Sequence, residues 1–229
     1  MKLTGAQYRP GRSEPMVNAN SELDLVGTAR SRSMQPFQAR DPRQVCIVHE
    51  NELNAQEIGS NQSRVNLVLG GGSAELLRSG SLIEIDGTKI RITFRCEPCK
   101  HGAQLAGVPV SKFRNLRRYL GLILEGGSVT VGSAVTAYPD VFDAWEDNFR
   151  DRAVSALRLV PDGERVLSTE LLYAIGAGKV YARALPRWVQ FSELRGARPG
   201  IVQYASELKP RDVLRTYPLA KHLWGGLPD

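Results

Sequence analysis

The residues of this chain best suited to chemistry lie in one short segment, Arg95-Cys-Glu-Pro-Cys99-Lys-His101. Two thiols three positions apart, with Arg95, Lys100 and His101 around them, sit among groups that favour the thiolate, the nucleophilic and soft-metal-binding form. A structural zinc site needs four ligands, and the sequence has no second Cys-x-x-Cys and no His pair. A thioredoxin-like couple needs the motif to open a helix in a βαβ setting, whereas Pro98 and Gly102 predict a loop. Two inert buried thiols would have to bury charged neighbours with them. The pattern favours a single-cysteine site in which Cys99 acts as nucleophile or metal ligand, Cys96 stands by as bystander or resolving thiol, and His101 assists.

Other groups are less pointed. Gly70-Gly-Gly-Ser73 can offer backbone N–H groups to an anion but matches neither the P-loop nor the dinucleotide fingerprint. Arg64 and Asn66 precede it and suit phosphate or pterin contacts. Cys46 and His49 fall three apart on one strand and so face opposite sides, with ordinary packing expected of both. Near the C-terminus, Lys179, Arg183 and Arg187 recur every four residues, a basic stripe able to meet phosphates, with Tyr181 and Trp188 nearby for stacking. A solvated helix face is the alternative.

The elements that must position these residues follow from periodicity. Short apolar runs at 44–49, 65–69, 82–85, 89–94, 120–124 and 128–131 read as strands. Asp86-Gly87 between two of them predicts a type I′ hairpin that delivers the chain to Cys96. From Val141 to Leu159 the spacing predicts an amphipathic helix, interrupted near Asp151. Two further helices, from Thr169 and from Lys179, flank Gly176-Ala-Gly178 as a helix-turn-helix candidate. The expected organisation is a β-rich domain over 1–138, an acidic helical connector over 139–164 and a basic helical module over 165–229.

Composition bounds the answer. The chain has 229 residues, is 42% hydrophobic and carries a net charge of +6, too apolar for disorder and long enough for a core. No run approaches the roughly 18 apolar residues of a membrane span. The N-terminus lacks the apolar stretch of a secretory signal. Three cysteines cannot staple a chain of this size, and an odd count without export predicts a reducing, cytoplasmic setting. Residues 165–229 hold a net +5 and residues 141–164 a net −3, so the positive charge concentrates where nucleic-acid contact would need it.

Residues 20 to 135 resemble the MOSC domain, named after the C-terminal part of molybdenum cofactor sulfurase. The likeness rests on an ordered series: Arg43-Gln-Val-Cys-Ile-Val, Arg64-Val-Asn-Leu-Val-Leu, the Leu76 to Gly87 hairpin segment, Cys96-Glu-Pro-Cys99 where the family keeps a Pro-Cys, and Leu120 to Gly132. It implies a mostly β fold with a molybdenum cofactor or a sulfur-carrying cysteine. Cys99 would then ligate molybdenum or hold a persulfide, with Arg64, Asn66 and Arg95 beside the cofactor. Where family members usually have Gly-Asp turns, this chain has Gly27-Thr28, Gly80-Ser81 and Gly132-Ser133. A fainter likeness links Val160 to Leu185 with the winged-helix DNA-binding part of alkylguanine-DNA alkyltransferases. The Pro-Cys-His-Arg motif of that family is absent and no cysteine follows Cys99, so this likeness implies DNA binding only.

The sequence therefore predicts an α+β protein: a mostly β, MOSC-like barrel followed by a small helical C-terminal domain of helix-turn-helix or winged-helix kind. The expected function is reductive or sulfur-transfer chemistry at Cys99 with a molybdenum cofactor, on a nucleobase or nucleic acid presented by the tail. It would need an external reductase or sulfur donor, and no membrane. The alternatives are a non-catalytic protein that recognises modified DNA and a persulfide carrier that docks on a partner enzyme.

Overall fold

The computed structural model describes residues 1–8, 16–19, 21–25, 42–98, 100–190, 200–204 and 216–224. Contacts divide the chain into two units at Trp145/Glu146. In the first unit the strands are β1 (Lys2–Tyr8), β2 (Val17–Asn18), β3 (Glu22–Leu25), β4 (Val45–His49), β5 (Leu67–Gly70), β6 (Leu82–Ile85), β7 (Thr88–Arg95), β8 (Arg118–Glu125), β9 (Gly127–Thr130) and β10 (Val135–Tyr138). Helices α1 (Glu50–Gln56), α2 (Ser60–Ser63), α3 (Lys100–Ala106) and α4 (Val110–Asn115) lie between them. Eight strands form one curled, half-barrel sheet in the order β10-β6-β7-β8-β4-β5-β1-β2, and β3 pairs separately with β9. Only β4 and β5 run parallel within the large sheet, because α1 and α2 form the crossover between them.

Alternation sorts the sheet residues between two cores. Val45, Ile47, Leu67, Leu69, Ile83, Ile85, Ile90 and Ile92 face one way and pack with Leu3 and Val129. Cys46, Val48 and Val68 face the other way, against Leu53 of α1, Ile58, Val65 and Leu116. The Asp86-Gly87 hairpin forms as expected: both residues have positive φ (50° and 79°), and Ile85 pairs with Thr88. The Asp86 carboxylate then accepts the Thr130 N–H at 2.9 Å and the Ser133 hydroxyl at 2.7 Å. The first strand is more central than a turn-rich N-terminus suggests. It lies between β5 and β2, and at its start Leu3 and residues 132–133 exchange backbone hydrogen bonds of 2.7–3.0 Å.

The helix expected over Val141–Leu159 is α5, and it runs only from Phe149 to Arg158. Asn148 starts it by accepting the Asp151 N–H at 2.9 Å. The apolar residues that extended the pattern upstream are engaged elsewhere in the first unit. The Phe142 ring lies 4.3 Å from the Arg91 guanidinium, and the Trp145 N–H donates to the Ser79 hydroxyl at 2.7 Å. Burial pulls Arg91 down to about 10, against the opposing charge of Asp143.

The second unit holds α5, β11 (Val166–Leu167), α6 (Ser168–Ala174), a 3-10 turn at Lys179–Arg183, α7 (Leu185–Gln190), β12 (Val202–Gln203) and α8 (Leu219–Leu223). Trp224, 2% exposed, donates its indole N–H to the Ala174 carbonyl at 2.8 Å. The Glu170 carboxylate of α6 accepts the Ala220 N–H at the start of α8. His222 stacks on Tyr217 with ring centroids 4.5 Å apart. β11 and β12 pair in parallel, so these two strands do not make the antiparallel hairpin of a wing. No described helix is long and apolar enough to cross a membrane.

Candidate functional site

Strand β7 carries the thiol segment into place. Phe94 lies opposite Leu120 and Arg95 opposite Tyr119 on β8, and the Cys96 N–H extends the ladder by donating to the Arg118 carbonyl at 2.7 Å. The chain is thus tied to the sheet as far as Cys96. Cys99 lies outside the described residues. The segment does not continue as a loop: α3 opens at Lys100, immediately after the motif. Gly102 and Ala103 are buried in it, so small side chains, not helix breaking, account for the glycine. His101 is in the first turn of α3.

On one face of the sheet, Tyr119, Arg117 and His49 border a cleft of about 300 Å³ together with Glu52, Glu75 and Arg78. Register puts Arg95 beside Tyr119 on the same face. His49 is structural here. Its Nδ1 accepts the Asn51 N–H at 3.2 Å, capping α1, and its Nε2 faces the Gly71 carbonyl at 3.3 Å. Arg78 pairs with Asp140, and the Arg117 N–H donates to Glu52 at 3.4 Å.

The opposite face holds an arrangement that sequence reasoning missed. Cys46 lies opposite Leu120, and Val48 opposite Arg118, so Cys46, Arg118 and Cys96 share a face across three neighbouring strands. The influence of the Cys96 thiol, followed by burial, pushes the Cys46 thiol well above its ordinary value, while Arg118 and Arg43 pull the other way. Arg118 is 3% exposed, lies 3.9 Å over the Phe113 ring and donates to the Ser63 carbonyl at 3.2 Å. The signal available in the sequence was slight: a cysteine in the strand at 44–49, whose orientation relative to Cys96 depends on register.

The remaining expected site residues are scattered. Arg64 closes α2 in the left-handed conformation (φ 56°) and is half-buried. Asn66 is occupied by backbone: its side chain accepts the Cys46 N–H at 2.9 Å and donates to the Gln7 carbonyl at 3.3 Å. In the second unit, Arg183 and Arg187 are exposed, one ending the 3-10 turn and the other in α7. Lys179 opens that turn. The stripe is thus divided between two helix types. Tyr181 and Trp188 do not stand free for stacking: their rings lie 4.5 and 6.2 Å from Phe149 and 5.7 Å from each other. No cluster of three or more His, Cys, Asp or Glu that could hold a metal occurs among the described residues.

No protein-family model matches the chain, and no curated protein matches it. Solved structures do. YiiM from Geobacillus stearothermophilus aligns with a TM-score of 0.52 over 82% of this chain and 98% of its own, at 9% identity. YuaD from Bacillus subtilis aligns with a TM-score of 0.50 over 59% and 94%, at 18% identity. A hypothetical protein aligns at 0.50 over 98% and 96%, at 16% identity. At such identities the likeness is one of fold, and because YiiM is a MOSC-domain protein, that fold is MOSC-like.

Proposed function

We propose that this chain is a MOSC-like molybdenum-cofactor-binding or sulfur-carrying protein that works through Cys99. The observation that carries the reading is the course of β7 in a MOSC-like fold: it is hydrogen-bonded to β8 as far as Cys96, three residues before Cys99 in the sequence, at the sheet end that bears the cleft. The donor set suits the group. Thiolate sulfur is a soft ligand of the kind such a metal takes, and guanidinium groups recognise phosphate by bidentate hydrogen bonds. Arg95 and Arg117, on the cleft face, are the residues proposed to hold an anionic pterin. His101 keeps the place proposed from sequence, while Arg64 closes α2 away from the cleft lining and Asn66 is already bonded to backbone. When bound, the cofactor would supply two-electron redox chemistry.

The chain's own residues would then orient the ligand and exclude water: Cys99 as ligand or persulfide carrier, Arg95 and Arg117 as anion contacts, Tyr119 as the floor beside them. The electrons or the sulfur would come from an external reductase or donor. A nucleic-acid substrate would meet Arg183 and Arg187 through its phosphates rather than through ring stacking, since Tyr181 and Trp188 pack on Phe149.

The test is metal and pterin analysis of natively expressed protein beside Cys99→Ser. Molybdenum in the wild type and its loss in the variant support ligation by Cys99. Wild-type protein without metal but with one extra sulfur on Cys99 by mass spectrometry supports the carrier form. Absence of both, or equal metal in both proteins, rejects the assignment. A duplex-DNA shift assay of Arg183→Ala/Arg187→Ala tests the tail, with the expected affinity falling linearly in log salt.

A further inference from the structure

Between Glu97 and Glu125 the chain carries Lys100, Lys112, Arg114, Arg117 and Arg118 and no acidic side chain. The fold gathers most of this charge on α3 and α4, the excursion between the end of β7 and the start of β8. The two helices bury Ala103, Ala106 and Phe113 in a shared core. Outward they keep two stripes at helical spacing: Lys100 with Gln104 on α3, and Val110 with Arg114 on α4, all four exposed. Leu105 and Val110, on either side of the turn that joins the helices, are 37% and 36% exposed. Glu57 neutralises Lys112 at 2.7 Å, and Arg118 is buried. Lys100, Arg114 and Arg117 are exposed, and none has a side-chain carboxylate partner among the described residues. Glu52 meets Arg117 through the backbone N–H.

We propose that the α3–α4 face is the landing surface of a small acidic electron-carrier protein that serves the Cys99 site. The carrier's role rests on the function proposed above, which draws its electrons from outside the chain. Three features select this occupant. A basic surface with no acid of its own attracts an acidic partner and turns away a basic one. Exposed Leu105 and Val110 among the charges supply the apolar centre of a protein contact, whereas phosphate contacts call for polar and charged groups. Helices of seven and six residues offer less than a standard interface, the size class of transient redox encounters. Position agrees: α3 opens one residue after Cys99, and Arg117 lines the cleft. A one-electron carrier would land twice for each two-electron turnover. It would arrive reduced and leave oxidised, its electron passing to the cofactor held at Cys99. A weak, salt-sensitive complex suits a partner that must leave after each delivery.

The probe is an acidic flavodoxin, kept oxidised so that binding is read without turnover. It should bind the full chain at low salt, weaken as salt rises, and give a zero-length carbodiimide link from the Lys100 amine to a flavodoxin carboxylate. Lys100→Glu/Arg114→Glu should lower the affinity about tenfold or more. Leu105→Ser/Val110→Ser should lower it without changing its salt dependence. Arg183→Glu/Arg187→Glu, the same change of net charge in the second unit, should leave it as it was. Should the glutamates unfold the helices, Lys100→Gln/Arg114→Gln gives the same ranking with a smaller loss. No binding by the wild type, equal loss in the two charge-reversed variants, or links confined to other lysines would overturn the proposal. So would tighter binding of an oligo(dT) strand or of phosphatidylglycerol vesicles that the Lys100→Glu/Arg114→Glu change abolishes, because the face would then belong to nucleic acid or membrane. Cys99→Ser should bind flavodoxin like the wild type. Flavodoxin binding and metal content are therefore separate readouts: loss of the first leaves the Cys99 assignment standing, and loss of the second leaves the landing surface measurable.

Discussion

Asn66 and Cys46 are bonded twice: the Asn66 side chain accepts the Cys46 N–H at 2.9 Å, and the Asn66 N–H donates to the Cys46 carbonyl at 2.7 Å. Through its other polar atoms Asn66 also holds Gln7, so one side chain joins β1, the start of β5 and β4. Replacing it by Ala leaves a backbone donor and acceptor short of partners, at about 1–3 kcal/mol. Asn66→Ala should therefore lower the denaturation midpoint. An unchanged midpoint together with lost cofactor binding would return Asn66 to the ligand site.

Gly121 is the crossing point of three strands. A Cβ added there would stand 2.7 Å from Ile90 Cγ2 and 2.9 Å from Val45 Cγ1. Gly121→Ala should cost about 1–3 kcal/mol through overpacking. Adding Val45→Ala should recover part of that, because the two sites share the same space and do not add. Urea unfolding of the two single variants and the double variant measures the coupling; simple additivity would show that the neighbours relax without cost.

Trp224 in the second unit tests a polar anchor in an apolar setting. Trp224→Phe removes the donor to Ala174 and leaves a gap, for a loss of about 1–3 kcal/mol. Amide exchange in α6 and α8 should speed up. Unchanged exchange there would mean that the indole hydrogen bond holds nothing.

The Asp86 carboxyl lies below its ordinary value because the Ser133 hydroxyl, and then the Thr130 N–H, bond its charged form. A carboxyl depressed on folding adds stability that is complete above the unfolded pKa and is lost as pH falls through the folded one. Asp86→Asn, which keeps the turn, should melt below wild type at neutral pH and converge with it in acid. A gap that persists unchanged into acid would assign the loss to turn geometry instead.

What the sequence could show depended on how local each feature was. Asp86-Gly87 announced its hairpin because four neighbouring residues suffice to define it. That Cys46 and Cys96 share a sheet face is decided by the register of β4 on β8 and of β8 on β7, which no short window contains. Phe142 and Trp145 mimicked a helix face although both make their contacts in the first unit. Tyr181 and Trp188 looked available for bases because a one-dimensional pattern does not show that Phe149 reaches them. The MOSC-like fold was legible in an ordered series of strands and turns, while the chemistry proposed for Cys99 depends on a residue outside those the structure describes.

The opening strand has a consequence for biosynthesis. Leu3 is hydrogen-bonded to residues 132 and 133, so the curl of the sheet has no second edge to join until that part of the chain has emerged. At 5–20 residues per second, that leaves the Leu3 contact waiting for roughly 6 to 26 seconds. During that time β1 can already pair with β5, but the outer edge at Lys2–Leu3 stays an open strand edge exposed to chaperones and to mispairing.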